Sequence, residues 1–151
     1  TSINRGQKLV LPSPNGSTLT LEVGNVPTFA GSLRNFSATA HAAARLGRRV
    51  AVIPAGERWP SENTLRPSME DWLGAGAIIS ALGGTLSPEA NLAKESFLSA
   101  RHELQTRLQF CSSGKELIAK GYGQDVELAA VLDVSMTVAK FQNGFYSRFE
   151  T

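Results

Sequence analysis

At 151 residues the chain has the length of one domain and enough residues to bury a core. Its 42% hydrophobic and 19% charged content is that of a globular protein and excludes a wholly disordered chain. A formal net charge of +2 is too small to point to nucleic acid, and the single cysteine, Cys111, excludes an internal disulfide. The basic run Arg45, Arg48, Arg49 reads as a solvated helix end, and the most apolar stretch, 73–82, is too short and glycine-rich to span a bilayer. The expectation is a cytoplasmic protein without membrane or nucleic-acid partners.

In chain order, residues 8–11 read as a first strand, broken by Pro12, Pro14 and the turn signal Asn15-Gly16. Residues 18–23 alternate with period two and predict a second strand, and 25–30 a third. Asn15, Gly16 and Ser17 then form either a plain turn or a compact loop whose donors cradle an oxyanion. A helix is expected over 33–46, capped by Ser32 and closed by Gly47. Arg34 and Asn35 lie at its start, where free amides and the helix dipole attract anions. Gly83-Gly84 reads as a helix stop, and Ser87-Pro88 opens a long helix with an apolar face at Leu92, Phe97, Ala100, Leu104 and Leu108. A short strand at 108–111, helices after Ser113 and after Asp125, and a final strand within 138–149 complete the chain.

The organising unit runs from Arg49 to Gly84. Residues 49–54 read as a buried, β-branched strand; a polar loop with Glu57, Arg58, Glu62 and Arg66 follows; Ser68-Met69-Glu70-Asp71 opens a helix through Leu82. Ligands of α/β proteins sit at such junctions, beyond the carboxyl end of a strand. Glu57, Glu70 and Asp71 are carboxylates able to hold a hard cation such as magnesium. Glu70 and Asp71 equally fit the acidic first turn of a helix, with Asp71 as a cap. Glu57 has no comparable structural duty. Strands and helices in alternation predict one α/β domain over 1–151, a three-layer α/β/α arrangement on a mixed or largely parallel sheet. Asn15, Asn35 and Glu57 would then share a cleft.

The segments LVLPSPNGS, AGSLRN, VAVIPAGERW, LRPSMEDWLGAGAI and GKELIAKGYGQDVELAA, in this order, resemble the 2-phosphosulfolactate phosphatase family from about Lys8 onward. Members hydrolyse the phosphate ester of 2-phospho-3-sulfolactate with magnesium, a step towards coenzyme M in methanogens. Asn15-Gly16-Ser17 stands where the family has an Asn-Gly-Thr/Ser turn, Asn35 at its asparagine after a Gly-Ser start, and Glu70-Asp71 at its Glu-Asp pair. The family's first strand and its Asp-x-x-Arg-Ala loop have no counterpart here. The resemblance therefore implies the C-terminal part of a phosphatase-like protein, completed by an upstream portion or by a second copy of the chain. From the residue chemistry above, Asn15, Gly16, Ser17, Arg34 and Asn35 are expected to bind a small phosphorylated hydroxy acid, and Glu57, Glu70 or Asp71 to hold Mg2+ directly or through water. The contrasting expectation is a non-catalytic anion-binding or assembly module.

Overall fold

The computed structural model describes residues 4, 6–11, 13–59 and 61–150. Its helices are α1 (Pro14–Glu22), α2 (Phe36–Leu46), α3 (Met69–Leu82), α4 (Pro88–Ala100), α5 (Leu104–Phe110), α6 (Ser112–Ala119) and α7 (Gly123–Ala129), with a 3-10 turn at Arg101–Glu103. Five short strands accompany them: β1 (Phe29–Ala30), β2 (Glu57–Arg58), β3 (Leu65–Arg66), β4 (Ala139–Gln142) and β5 (Phe145–Arg148).

Helix α3 is the centre of the packing. Leu73 through Ile79 are all buried, as expected of a helix that is apolar on every side. Its neighbour α4 comes very close at Gly76, where an added Cβ would lie 2.1 Å from the Ala93 carbonyl oxygen. Leu33, Leu73, Ala77, Phe97, Ala100, Leu104, Leu108 and Val126 form the main core, with Phe36 meeting Phe97 edge-on at 5.7 Å. A smaller cluster joins Ala38, Ala42 and Val138 to Phe29 and Phe149, and so ties the C-terminal strands to α2.

The ladders are antiparallel. β1, β4 and β5 form one sheet, with Phe29 opposite Lys140 and Lys140 opposite Ser147; β2 and β3 form a separate hairpin, with Glu57 opposite Arg66. The chain is thus a mixed helix-and-sheet protein, but the described residues do not form the expected three layers on a parallel sheet. Residues 50–56 illustrate the difference. Their composition suits a central strand, yet they form neither helix nor ladder and make no backbone-to-backbone hydrogen bond among the described residues, with Val50 and Ile53 exposed. A strand needs a neighbour, and no described segment supplies one. Residues 8–11 are likewise outside any ladder.

Two further strands expected from sequence are helices. Residues 18–23 lie mostly in α1, which begins with proline in its first turn, where the missing amide is harmless. The alternation there misleads because Ser17 and Thr20 fold their hydroxyls back onto the carbonyls of Ser13 and Gly16, at 2.6 and 2.7 Å. Residues 108–110 close α5, with Leu108 buried in the core. The tail is a hairpin rather than one strand: Asn143 and Gly144 both have positive φ, 54° and 85°, as a two-residue turn of this kind requires.

Candidate functional site

The hairpin β2–β3 and the start of α3 meet at Gly56. Its φ of +71° lies in the left-handed region, and a Cβ would come 3.0 Å from Leu65 Cδ1 and 3.1 Å from the Arg66 carbonyl oxygen. Both its peptide groups are engaged. The Gly56 amide donates to Asp71 Oδ2 at 2.8 Å, and its carbonyl accepts from Asn15 Nδ2 at 2.9 Å. Arg58 closes the arrangement, its Nε donating to Asn15 Oδ1 at 3.0 Å and one of its terminal nitrogens to the Asn63 carbonyl at 2.7 Å. Three distant segments, α1, β2 and α3, are thereby held in register.

Among the sequence-derived candidates, Asn15, Glu57, Glu70 and Asp71 gather here. Burial raises the Asp71 pKa above its ordinary value; the Gly56 amide pulls it down, and the charges of Glu70 and Glu57 push it further up. Glu57 is exposed, while Glu70 and Asp71 are half-buried. Among the described residues no group of three or more acidic, histidine or cysteine side chains is drawn together tightly enough to cage a metal ion. Of these three carboxylates Glu70 lines a cavity, and magnesium keeps several waters and needs only one or two protein ligands. Gly16 and Ser17 belong to the first turns of α1, with Ser17 Oγ directed at the Ser13 carbonyl.

Arg34 and Asn35 lie elsewhere, and each commits a side-chain donor to a backbone carbonyl of the C-terminal segment. Asn35 Nδ2 donates to the Thr137 carbonyl at 2.9 Å, and Oδ1 accepts from the Ser32 amide at 2.8 Å and its hydroxyl at 3.1 Å. The Arg34 guanidinium donates to the Leu128 carbonyl. The next helical amide, Ser37, is met by Asp133 at 3.1 Å. The start of α2 therefore anchors the segment leading into β4. It does not present an open set of anion donors, and Asn35 and Asn15 have no hydrogen-bond partner in common.

The cavity at the start of α3 contains residues that sequence reading did not single out. A space of about 290 Å³ is lined by Arg66, Ser68, Glu70, Phe110, Cys111 and Ser113, among others. Arg66 crosses from β3, pairs with Glu116 at 3.3 Å and lies over the Trp59 ring at 5.1 Å. Cys111 acts as the cap of α6: its sulfur accepts from the Gly114 amide at 3.3 Å and lies 3.1 Å from the Leu108 carbonyl and 3.8 Å from Glu70 Oε2. Burial raises the Cys111 pKa, the Gly114 amide lowers it, and Glu70 adds to the rise, so the group is a neutral thiol and a poor nucleophile. The sequence signal was the small-residue run Cys111-Ser112-Ser113-Gly114, which permits the close approach at a helix start. An added Cβ on Gly114 would lie 1.8 Å from the Leu108 carbonyl oxygen.

A family model described as 2-phosphosulpholactate phosphatase matches residues 2–144. The chain belongs to that family. It is 30% identical over 140 residues to the 2-phosphosulfolactate phosphatase of Methanothermobacter thermautotrophicus, covering 93% of this chain and 58% of that protein. Probable 2-phosphosulfolactate phosphatases of Carboxydothermus hydrogenoformans and Thermotoga maritima match at 34% and 28% identity, covering 86% and 93% of this chain and 53% and 60% of theirs. The chain thus spans somewhat over half the length of these 2-phosphosulfolactate phosphatase relatives. No helix among the described residues is long and apolar enough to cross a membrane.

Proposed function

We propose that this member of the 2-phosphosulfolactate phosphatase family contributes a magnesium-dependent phosphatase site for a small 2-hydroxy-acid phosphate such as 2-phosphosulfolactate. One observation carries the reading: Glu70 stands in the wall of a cavity that also holds Arg66 and two helix starts, with Asp71 beside it. Carboxylate and cation placed together suit a phosphate ester with its metal better than either suits a neutral ligand. Glu70, with Asp71 or Glu57, would hold magnesium, which when bound supplies neutralisation of phosphoryl charge. Asp71 and Asn15 fix Gly56, and through it the hairpin that delivers Arg66 to the cavity. The half-buried Glu70 and exposed Glu57 lie at the polar edge of this arrangement, where a hydroxy acid with two further charges can remain partly hydrated.

The contrasting reading is an anion-binding or assembly module without chemistry. Phosphate release from 2-phosphosulfolactate, with and without magnesium, separates the two. The phosphatase reading expects release that requires magnesium and falls at least tenfold in Glu70→Gln, the loss of about 1.4 kcal/mol of transition-state stabilisation. Anion binding with no phosphate released at any magnesium concentration supports the module instead.

A further inference from the structure

We propose that the cavity between the starts of α3 and α6 is a tetrahedral oxyanion site whose protein donors are Arg66 and Ser68. Arg66 and Ser68 are each only 6% exposed, and both line this cavity. Each leaves one polar atom buried and without a partner among the described residues, Arg66 Nε and Ser68 Oγ. Native proteins rarely leave a buried donor unmet, since an orphaned group costs about 1–3 kcal/mol. The usual explanation for Ser68 fails, because it occupies the cap position of α3 and yet its side chain makes no capping bond. Two unmet donors on residues that line one cavity are accounted for together if an oxyanion accepts from both.

The surrounding charges agree. Helices α3 and α6 both begin at this wall, and their positive ends add to the Arg66 charge. Among the described residues Arg66 pairs with Glu116, whose side chain is 51% exposed, so this pair is hydrated and leaves much of the guanidinium field in place. The planar guanidinium suits an oxyanion with several acceptors. Cys111 faces the cavity as a neutral thiol and brings no opposing charge. Glu70 does oppose a bare anion, so affinity is modest without a divalent cation and rises when magnesium is added. In that last step alone the proposal rests on the phosphatase reading. Phosphoryl and sulfonate groups share the tetrahedral chemistry, and at about 290 Å³ the cavity is of small-ligand size.

The test is calorimetric titration of the parent protein, Ser68→Ala and Arg66→Lys with inorganic phosphate and, separately, with methanesulfonate. Circular dichroism checks that each variant is folded. Saturable binding is expected in the parent, about tenfold weaker in Arg66→Lys and severalfold weaker in Ser68→Ala, the scale of one charged and one neutral hydrogen bond. Tighter phosphate binding assigns the cavity to the phosphoryl group and tighter methanesulfonate binding to the sulfonate; both uphold an oxyanion site. Should Arg66→Lys fail to fold, Ser68→Ala, which removes a single oxygen, decides alone. Parent-like affinity in Ser68→Ala and in any folded Arg66→Lys overturns the proposal, as does the absence of saturable binding of either probe. Phosphate release together with parent-like affinities would discard this cavity and spare the phosphatase reading. Variant-sensitive binding without phosphate release would do the reverse.

Discussion

Two helix starts in this protein have similar sequences of polar residues and opposite fates. Ser32-Leu33-Arg34-Asn35 precedes α2, and Arg66-Pro67-Ser68 precedes α3. At α2 the Asn35 amide, the Arg34 guanidinium and the Ser37 backbone amide are all directed into the chain between Leu128 and Thr137. At α3 the Ser68 hydroxyl and Arg66 Nε, on two residues that line a cavity, are buried with no partner among the described residues. The lesson is that a helix start offers a ligand only the donors that tertiary structure has left over. Residue type alone does not distinguish the two cases.

The largest expected effect comes from Gly114→Ala. Its Cβ would meet the Leu108 carbonyl at 1.8 Å, an immovable backbone atom, so the start of α6 must shift away from the cavity. A stability loss of about 1–3 kcal/mol or more is expected in urea unfolding, together with loss of phosphate binding. Gly31→Ala, just ahead of α2, meets mainly side-chain ends, Ile78 Cδ1 at 2.7 Å and Thr39 Cγ2 at 3.0 Å, and should be milder in both readouts. Equal losses in the two variants would erase the distinction between the regions.

Next in size is Asn35→Ala. It removes the bond to Thr137 and leaves the Ser32 amide without its acceptor, so stability should fall by about 1–3 kcal/mol while phosphate affinity stays where it was. A folded variant of parental stability that no longer binds phosphate would return the anion site to α2.

How far these regions were legible follows from where their partners lie. Helix α3 was readable because its determinants are local: an apolar run opened by Glu70-Asp71 and stopped by Gly83 and Gly84, whose φ values are 67° and 79°. The start of α4 was readable for the same reason, Ser87 Oγ accepting from the Ala90 amide at 3.2 Å. The hydrogen bond of Asn35 to the Thr137 carbonyl was not legible, because that partner is 102 residues away. Asp71 was expected to serve its own helix, and it serves the Gly56 amide 15 residues earlier, in the loop. Asn15, Asn35 and Glu57 were expected in one cleft; Asn15 lies beside Gly56 next to Glu57, Asn35 lies against Thr137, and Arg66 enters through the pairing of Glu57 with Arg66, which no local pattern announces. The segment at 49–54 shows the converse: its β-branched composition was read as a buried strand, and no ladder follows from composition alone.

The smallest effect is a pH dependence at the α3 start. Burial raises the Asp71 pKa above 3.8, so the folded protein holds a proton that the unfolded chain has already released. The associated stability is present below about the ordinary carboxylate value and is lost as pH rises through the folded pKa. Asp71→Asn cannot titrate. In metal-free thermal melts its Tm relative to the parent should therefore rise with pH across that window. A pH-independent difference would mean that Asp71 titrates as an ordinary carboxylate.

The most direct measurement is an amide NMR titration of the 15N-labelled protein with inorganic phosphate, because it reads both helix starts in one sample. The account predicts saturable shifts at Met69, Glu70, Ser112 and Ser113, around the cavity, and resting signals at Leu33, Asn35 and Phe36. Shifts concentrated at Leu33, Asn35 and Phe36, with the α3 and α6 amides unmoved, would contradict it.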